Sequence, residues 1–140
     1  MSGNFSVKDI MTKAVVTTRP NASVREAVKI MERQDIGSIV VMEKDRPVGI
    51  ITERDIVVKV ASPSADPRNM KVQEIMSSPV VSIKSDASVE EAVAAMAKKK
   101  IKKIVVLEDG KLAGMLTYTD VAKAAPNMMR LYDDLIKQCK

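Results

Sequence analysis

The sequence is written twice. Moved along itself by 65 residues, Val7–Val57 lies over Val72–Ala122 without a gap, and 20 of the 51 paired positions are identical. Unrelated stretches of ordinary composition would share roughly 3 or 4. Ile10-Met11 returns as Ile75-Met76, Val15-Val16 as Val80-Val81, and Ala22-Ser23-Val24 as Ala87-Ser88-Val89. Glu26-Ala27-Val28 returns as Glu91-Ala92-Val93, and Ile39-Val40-Val41 as Ile104-Val105-Val106. Gly49, Thr52 and Asp55 return as Gly114, Thr117 and Asp120. A period of 65 is too long for a solenoid unit and points to a duplicated small domain. One copy alone is of a size where a single core is marginal; two copies packed together bury each other's exposed sheet.

The order of elements within a copy follows from local signals. Val15–Thr18 and Val80–Ile83 are β-branched runs and predict short strands. A helix follows in each: Ser23 with Glu26, and Ser88 with Glu91, have the spacing of a capping box. Val24, Ala27, Val28 and Met31 fall on one helical face, as do Val89, Ala92, Val93 and Met96. Ile39–Met42 and Ile104–Leu107 predict the next strands. Asp109-Gly110 suits the positive φ angles of a tight hairpin, and Lys44-Asp45 stands in the same place in the first copy. Val48–Thr52 and Leu112–Thr117 close the hairpins, and second helices run from about Glu53 and about Tyr118. Each copy therefore reads β-α-β-β-α. Ser62–Met70, with Pro63 and Pro67, reads as a linker. Past Pro126 the repeat stops. Met128, Leu131, Tyr132, Leu135 and Ile136 then recur at helical spacing, so an amphipathic helix is expected, its stripe facing either its own body or a second subunit. The expected division is residues 1–65, residues 66–125, and a C-terminal helix over 126–140.

Composition narrows the chemistry. There is no His, so His-based triads, His zinc ligands and imidazole acid–base catalysis are excluded. The one Cys, Cys139, allows no intrachain disulfide and no paired-cysteine metal site. It also lacks the base and the turn that would make it a nucleophile. No P-loop or GxGxxG occurs. Phe5, Tyr118 and Tyr132 are the only aromatic residues, poor material for stacking single-stranded bases. The net charge of +5 favours anionic partners in general. Lys98-Lys99-Lys100-Ile101-Lys102-Lys103 reads either as a solvated helix end or as a polyphosphate or nucleic-acid contact. No aromatic residue interleaves it and it matches no nucleic-acid motif, so a nucleic-acid partner is not expected. Residues 1–13 show no leader-like apolar run, no run is long enough to span a membrane, and a cytoplasmic location is expected.

Two heptads carry the functional signal: Gly49-Ile50-Ile51-Thr52-Glu53-Arg54-Asp55 and Gly114-Met115-Leu116-Thr117-Tyr118-Thr119-Asp120. In each, two apolar residues end a strand and Thr stands at the mouth of a helix, where free N–H groups attract phosphate oxygens. Asp follows one turn on, and its two oxygens suit the neighbouring hydroxyls of a ribose. The same spacing is also that of an acidic capping box, which would start two helices and do nothing more.

On these heptads and the gapless duplication, each copy resembles a CBS domain, and the two together resemble a Bateman module standing by itself. The resemblance covers about Val7–Ala125. It implies an α+β fold of two β-α-β-β-α repeats packed sheet to sheet about a pseudo-twofold axis, followed by the C-terminal helix. It also implies two clefts between the copies that take an adenosine nucleotide of the AMP, ADP or ATP class. One would combine Thr117, Thr119 and Asp120 with Ala14, Val16, Ile36 and Gly37. The other would combine Thr52, Arg54 and Asp55 with Pro79, Val81, Ile101 and Lys102. Any one of Val16, Val81, Ile36 and Ile101, read alone, is ordinary core. The implied function is ligand sensing without catalysis and without a cofactor, in a homodimer whose state a further protein reads. The alternative is a structural dimerisation scaffold with no physiological nucleotide.

Overall fold

The computed structural model describes residues 5–61 and 63–138; Cys139 lies outside them. In chain order the elements are α1 (Val7–Ile10), β1 (Thr17–Thr18), α2 (Val24–Gln34), β2 (Ser38–Glu43), β3 (Arg46–Thr52), α3 (Glu53–Val60) and α4 (Val72–Ile75). Then come β4 (Ser82–Lys84), α5 (Val89–Lys99), β5 (Lys103–Glu108), β6 (Lys111–Thr117), α6 (Tyr118–Ala124) and α7 (Asn127–Gln138). The expected β-α-β-β-α order is present in both repeats. Two four-residue helices, α1 and α4, precede them; they are too short to show a hydrophobic period.

The compact units do not follow the repeats along the chain. One is Val15–Val80, and the other joins the described residues up to Ala14 to those from Val81 onward. The cause is backbone hydrogen bonding by the two short helices. In the Val15–Val80 unit, Val72 and Gln73 of α4 donate to the carbonyls of Ala22 and Pro20 at 2.8 and 3.0 Å. Ser77 and Ile50 exchange a pair of backbone bonds at 2.8 and 3.1 Å. In the other unit, Val7 and Lys8 of α1 donate to Ala87 and Ser85, and Thr12 and Met115 exchange the matching pair at 2.8 and 2.9 Å. The segment leading into each repeat thus closes onto the sheet of the other repeat. Residues 66–80 therefore fold with the sheet of the first repeat, and the described residues before Val15 with the sheet of the second.

Each unit is built on a three-stranded sheet. In the first, β1 runs parallel to β2, and β2 antiparallel to β3 with Val40 opposite Ile50; in the second, β4, β5 and β6 repeat the arrangement with Val105 opposite Met115. The predicted first strands begin two residues late, at Thr17 and Ser82. Val16 and Val81 still serve the sheets, because their carbonyls accept from Val40 and Val105. Asp109 and Gly110 turn the second hairpin with φ of 53° and 79°, and Lys44 turns the first with 58°. Each hairpin carries a register shift just before its turn.

The long helices start and stop where local chemistry says. Ser23 accepts from the Glu26 N–H and Ser88 from the Glu91 N–H, each at 3.0 Å. Asp35 and Lys100, at left-handed φ of 54° and 57°, end α2 and α5. The first core unites Val24, Ala27 and Met31 with Ile39, Val41, Ile51, Val72 and Ile75. The second unites Val89, Ala92, Val93 and Met96 with Ile104, Val106, Leu116 and Val121. One expected core residue departs from its twin: Val93 is 0% exposed and Val28 is 38% exposed. The C-terminal helix accounts for the difference. α7 lies against its own unit, where Met128, Leu131, Leu135 and Ile136 pack on the second core and Tyr132 is buried in it.

Candidate functional site

The two heptads end β3 and β6 and start α3 and α6, so each Thr is an N-cap and each Asp the third residue of a helix. At α3, the Asp55 N–H donates to Thr52 Oγ1 at 3.2 Å, while Asp55 Oδ2 accepts from the Thr52 N–H at 2.9 Å and from its hydroxyl at 3.0 Å. At α6, the Asp120 N–H donates to Thr117 Oγ1 at 3.0 Å and Asp120 Oδ2 accepts from the Thr117 N–H at 3.1 Å. Both capping boxes are therefore real. A capping box leaves Oδ1 of each carboxylate for another use, and here the two repeats part.

The motif glycines have a steric reason. A Cβ on Gly49 would stand 2.5 Å from Met76 Sδ and 3.1 Å from the Ser77 carbonyl. One on Gly114 would stand 2.7 Å from both Met11 Sδ and the Thr12 carbonyl. The glycines let the segments after α4 and α1 approach the sheet closely. That approach delivers a hydroxyl to each carboxylate. Ser77 Oγ donates to Asp55 Oδ1 at 3.1 Å, and Thr12 Oγ1 lies 3.2 and 3.1 Å from the two oxygens of Asp120.

Ser77 and Thr12 occupy equivalent positions in the repeat but are not identical, which hid them from a comparison of identities. Lys59 was missed as well. Its ammonium sits 3.7 Å from Asp55 Oδ1 and donates to the Ile75 carbonyl at 2.9 Å. Its counterpart in the second repeat is Ala124. Asp55 is 8% exposed, whereas Asp120 is only half-buried.

The remaining expected residues are distributed as follows. Gly37 accepts from the Glu53 N–H at 3.1 Å and so lies at the start of α3; Ile36 precedes it, bonded to Met31. Lys102 accepts from the Tyr118 N–H at 2.8 Å, at the start of α6, with Ile101 before it. Each unit thus gathers one heptad Thr/Asp pair and one Ile-x pair around the head of one helix. Arg54 and Thr119 are exposed in the first turns of α3 and α6, and Ala14 and Pro79 are exposed on the segments after α1 and α4. Val16 is packed against the first core and Val81 against the second.

The lysine run is a helix end. Lys98 and Lys99 form the last turn of α5 and Lys100 caps it, while the Lys102 ammonium lies 5.3 Å from the centre of the Tyr118 ring. Tyr118 meets Tyr132 edge to face at 5.2 Å, and the Tyr132 hydroxyl donates to the Ile101 carbonyl at 3.0 Å. Burial, with lesser contributions from Tyr118 and Asp133, raises the Tyr132 phenol above its ordinary value. Among the described residues no three carboxylates or cysteines cluster as a metal site, and no helix is long and apolar enough to cross a membrane.

The two repeats are matched in known proteins. The family model of the CBS domain matches twice, over residues 7–62 and 72–127. An uncharacterized protein of Methanopyrus kandleri is 36% identical over 137 residues, covering 96% of this chain and 70% of that one. A CBS-domain protein of Burkholderia ambifaria superposes with a TM-score of 0.79 at 28% identity, over 88% of this chain and 96% of that one. The hexameric CBS-CP12 protein of bloom-forming cyanobacteria superposes with a TM-score of 0.77 at 34% identity, over 86% of this chain and 67% of that one. This chain belongs to the CBS-domain family and carries two CBS domains in tandem.

Proposed function

We propose that the chain is a regulatory module that binds an adenosine nucleotide of the AMP, ADP or ATP class and performs no chemistry on it. The observation that carries this reading is the Asp120 carboxylate. It is held in place by Thr117, is half-buried, and meets one readily turned hydroxyl, that of Thr12. A carboxylate so fixed can accept from two neighbouring ribose hydroxyls at little reorganisation. Thr117 and Thr119 are the proposed companions of Asp120, with Ala14 on the segment after α1 of the same unit. Absence of His and of a nucleophile paired with a base supports binding without catalysis.

Binding to the folded state alone at 100 times Kd would add about 2.7 kcal/mol, roughly 5–10 °C in melting temperature. Melting the chain with AMP, ADP, ATP, NAD and S-adenosylmethionine tests the reading. A shift with an adenosine compound that Asp120→Ala removes supports it; no shift with any of the five overturns it.

A second reading, a dimerisation scaffold, has its own observation. Val57 and Val58 of α3 are 67% and 65% exposed, and Val28 of α2 is uncovered where its twin Val93 lies in the core that α7 joins. Exposed apolar helix faces of this kind suit self-association. A related CBS protein is hexameric.

A further inference from the structure

We propose that the two motif carboxylates have diverged: Asp55 is closed by an internal clasp of Lys59 and Ser77, so one nucleotide binds per chain, at Asp120. The ligand half of this statement rests on the nucleotide reading above; the clasp does not.

A carboxylate offers about four acceptor positions. Asp55 uses three of them in hydrogen bonds within its own unit and has an ammonium beside the remaining one. Thr52 takes Oδ2 with its N–H and its hydroxyl, and Ser77 takes Oδ1 at 3.1 Å with the Lys59 ammonium 3.7 Å away. The carboxylate itself is buried, although Ser77 and Lys59 reach it from the exposed side, so an unpaired Oδ1 would be costly. Lys59 is held from its other side by the Ile75 carbonyl, which fixes the ammonium between α3 and the end of α4. The same carboxylate therefore fastens α3 to the segment that runs from Ile75 to Ser77. A ribose at Asp55 would have to expel the Ser77 hydroxyl from Oδ1 and displace the Lys59 ammonium beside it.

The second repeat has the same box and a hydroxyl in the same place, yet the ammonium is missing because residue 124 is Ala. The Thr12 hydroxyl spreads over both oxygens at 3.1 and 3.2 Å instead of being committed to one. One rotation about a single bond turns it away. The difference between a closed and an open carboxylate is thus written in one pair of repeat positions, Lys59 and Ala124.

Two measurements on the full chain test this. The first uses no ligand: melting temperatures of the wild type, Lys59→Met, Asp55→Asn and the double variant. Lys59→Met leaves the Thr52 box intact, so it reports even where Asp55→Asn folds poorly. In a clasp the losses are not additive, and the double variant melts close to the worse single one. Additive losses, or no loss with Lys59→Met, overturn the clasp. The second is calorimetric titration with AMP, ADP and ATP. One site per chain is expected, weakened about tenfold or more by Asp120→Asn. Two sites per chain, or full affinity retained by Asp120→Asn, overturn the assignment to Asp120. Coupled melting losses with no nucleotide bound by any protein uphold the clasp and overturn the nucleotide reading instead.

Discussion

Thr12 and Asp120 are 108 residues apart in the chain, and the threonine hydroxyl reaches both oxygens of the carboxylate, at 3.2 and 3.1 Å. The equivalent contact in the first repeat joins Ser77 to Asp55 at 3.1 Å, across 22 residues. The two contacts join equivalent positions but differ in detail and in surroundings: Ser77 commits to one oxygen of Asp55, whereas Thr12 spans both oxygens of Asp120. Asp55 is buried with an ammonium beside it; Asp120 keeps access to water. Removing the donor should therefore cost more in the first repeat. Ser77→Ala is expected to lower unfolding stability by about 1–2 kcal/mol, and Thr12→Ala by about 0.5 kcal/mol or less. Urea denaturation of both variants measures this; equal losses would contradict the difference in environment.

The glycines that admit these segments make a second, independent test. At Gly49 the atoms nearest an added methyl are the flexible end of Met76, which can turn aside. At Gly114 one of the two nearest is the Thr12 carbonyl oxygen at 2.7 Å, which accepts from Met115 and cannot move without breaking that bond. Gly114→Ala should destabilise by about 2–3 kcal/mol and Gly49→Ala by about 1 kcal/mol. Gly114→Ala should also displace Thr12 from Asp120. A denaturation midpoint for Gly114→Ala at or above that of Gly49→Ala would refute the ordering.

What could be read from the sequence was what short-range chemistry sets. The helices capped at Ser23 and Ser88, the Asp109-Gly110 hairpin and the Thr/Asp boxes all depend on residues within a few positions of each other. The four-residue helices α1 and α4 carry no period, so nothing local shows that each closes onto the other repeat's sheet. For the same reason the contacts of Thr12 and Ser77 were invisible. Chemical likeness between repeat positions, a hydroxyl opposite a hydroxyl, was the signal to follow. Val28 fell on the predicted apolar face yet is part-exposed, because the helix that covers the second repeat's counterpart occurs once, after the duplication ends.

Self-association separates the scaffold from a purely monomeric sensor. Val57 and Val58 expose about two thirds of their surface, and each would gain on burial in a contact between chains. The wild type should sediment as a dimer or larger at micromolar concentration. Val57→Asp combined with Val58→Asp should shift it to monomer without lowering the unfolding midpoint of the monomer, since neither side chain contributes to the core. A wild type that is monomeric throughout the concentration range removes the support for the scaffold.

The α7 anchor should report itself at high pH. Burial raises the Tyr132 phenol above 10.0 in the folded chain, while the unfolded chain holds it near that value. The folded state therefore resists losing this proton. The associated stability is complete below about pH 10 and is lost as pH rises through the folded value. Tyr132→Phe removes the hydroxyl that donates to the Ile101 carbonyl, so near neutral pH it should cost about 0.5–1.5 kcal/mol. It also removes the ionisable group, so its stability should fall less steeply above pH 10 and the gap to the wild type should narrow. Denaturant midpoints of both proteins from neutral to strongly alkaline pH measure this. Parallel curves would mean that the phenol ionises as easily in the folded chain as in the unfolded one, and that α7 does not seal Tyr132 into the second core.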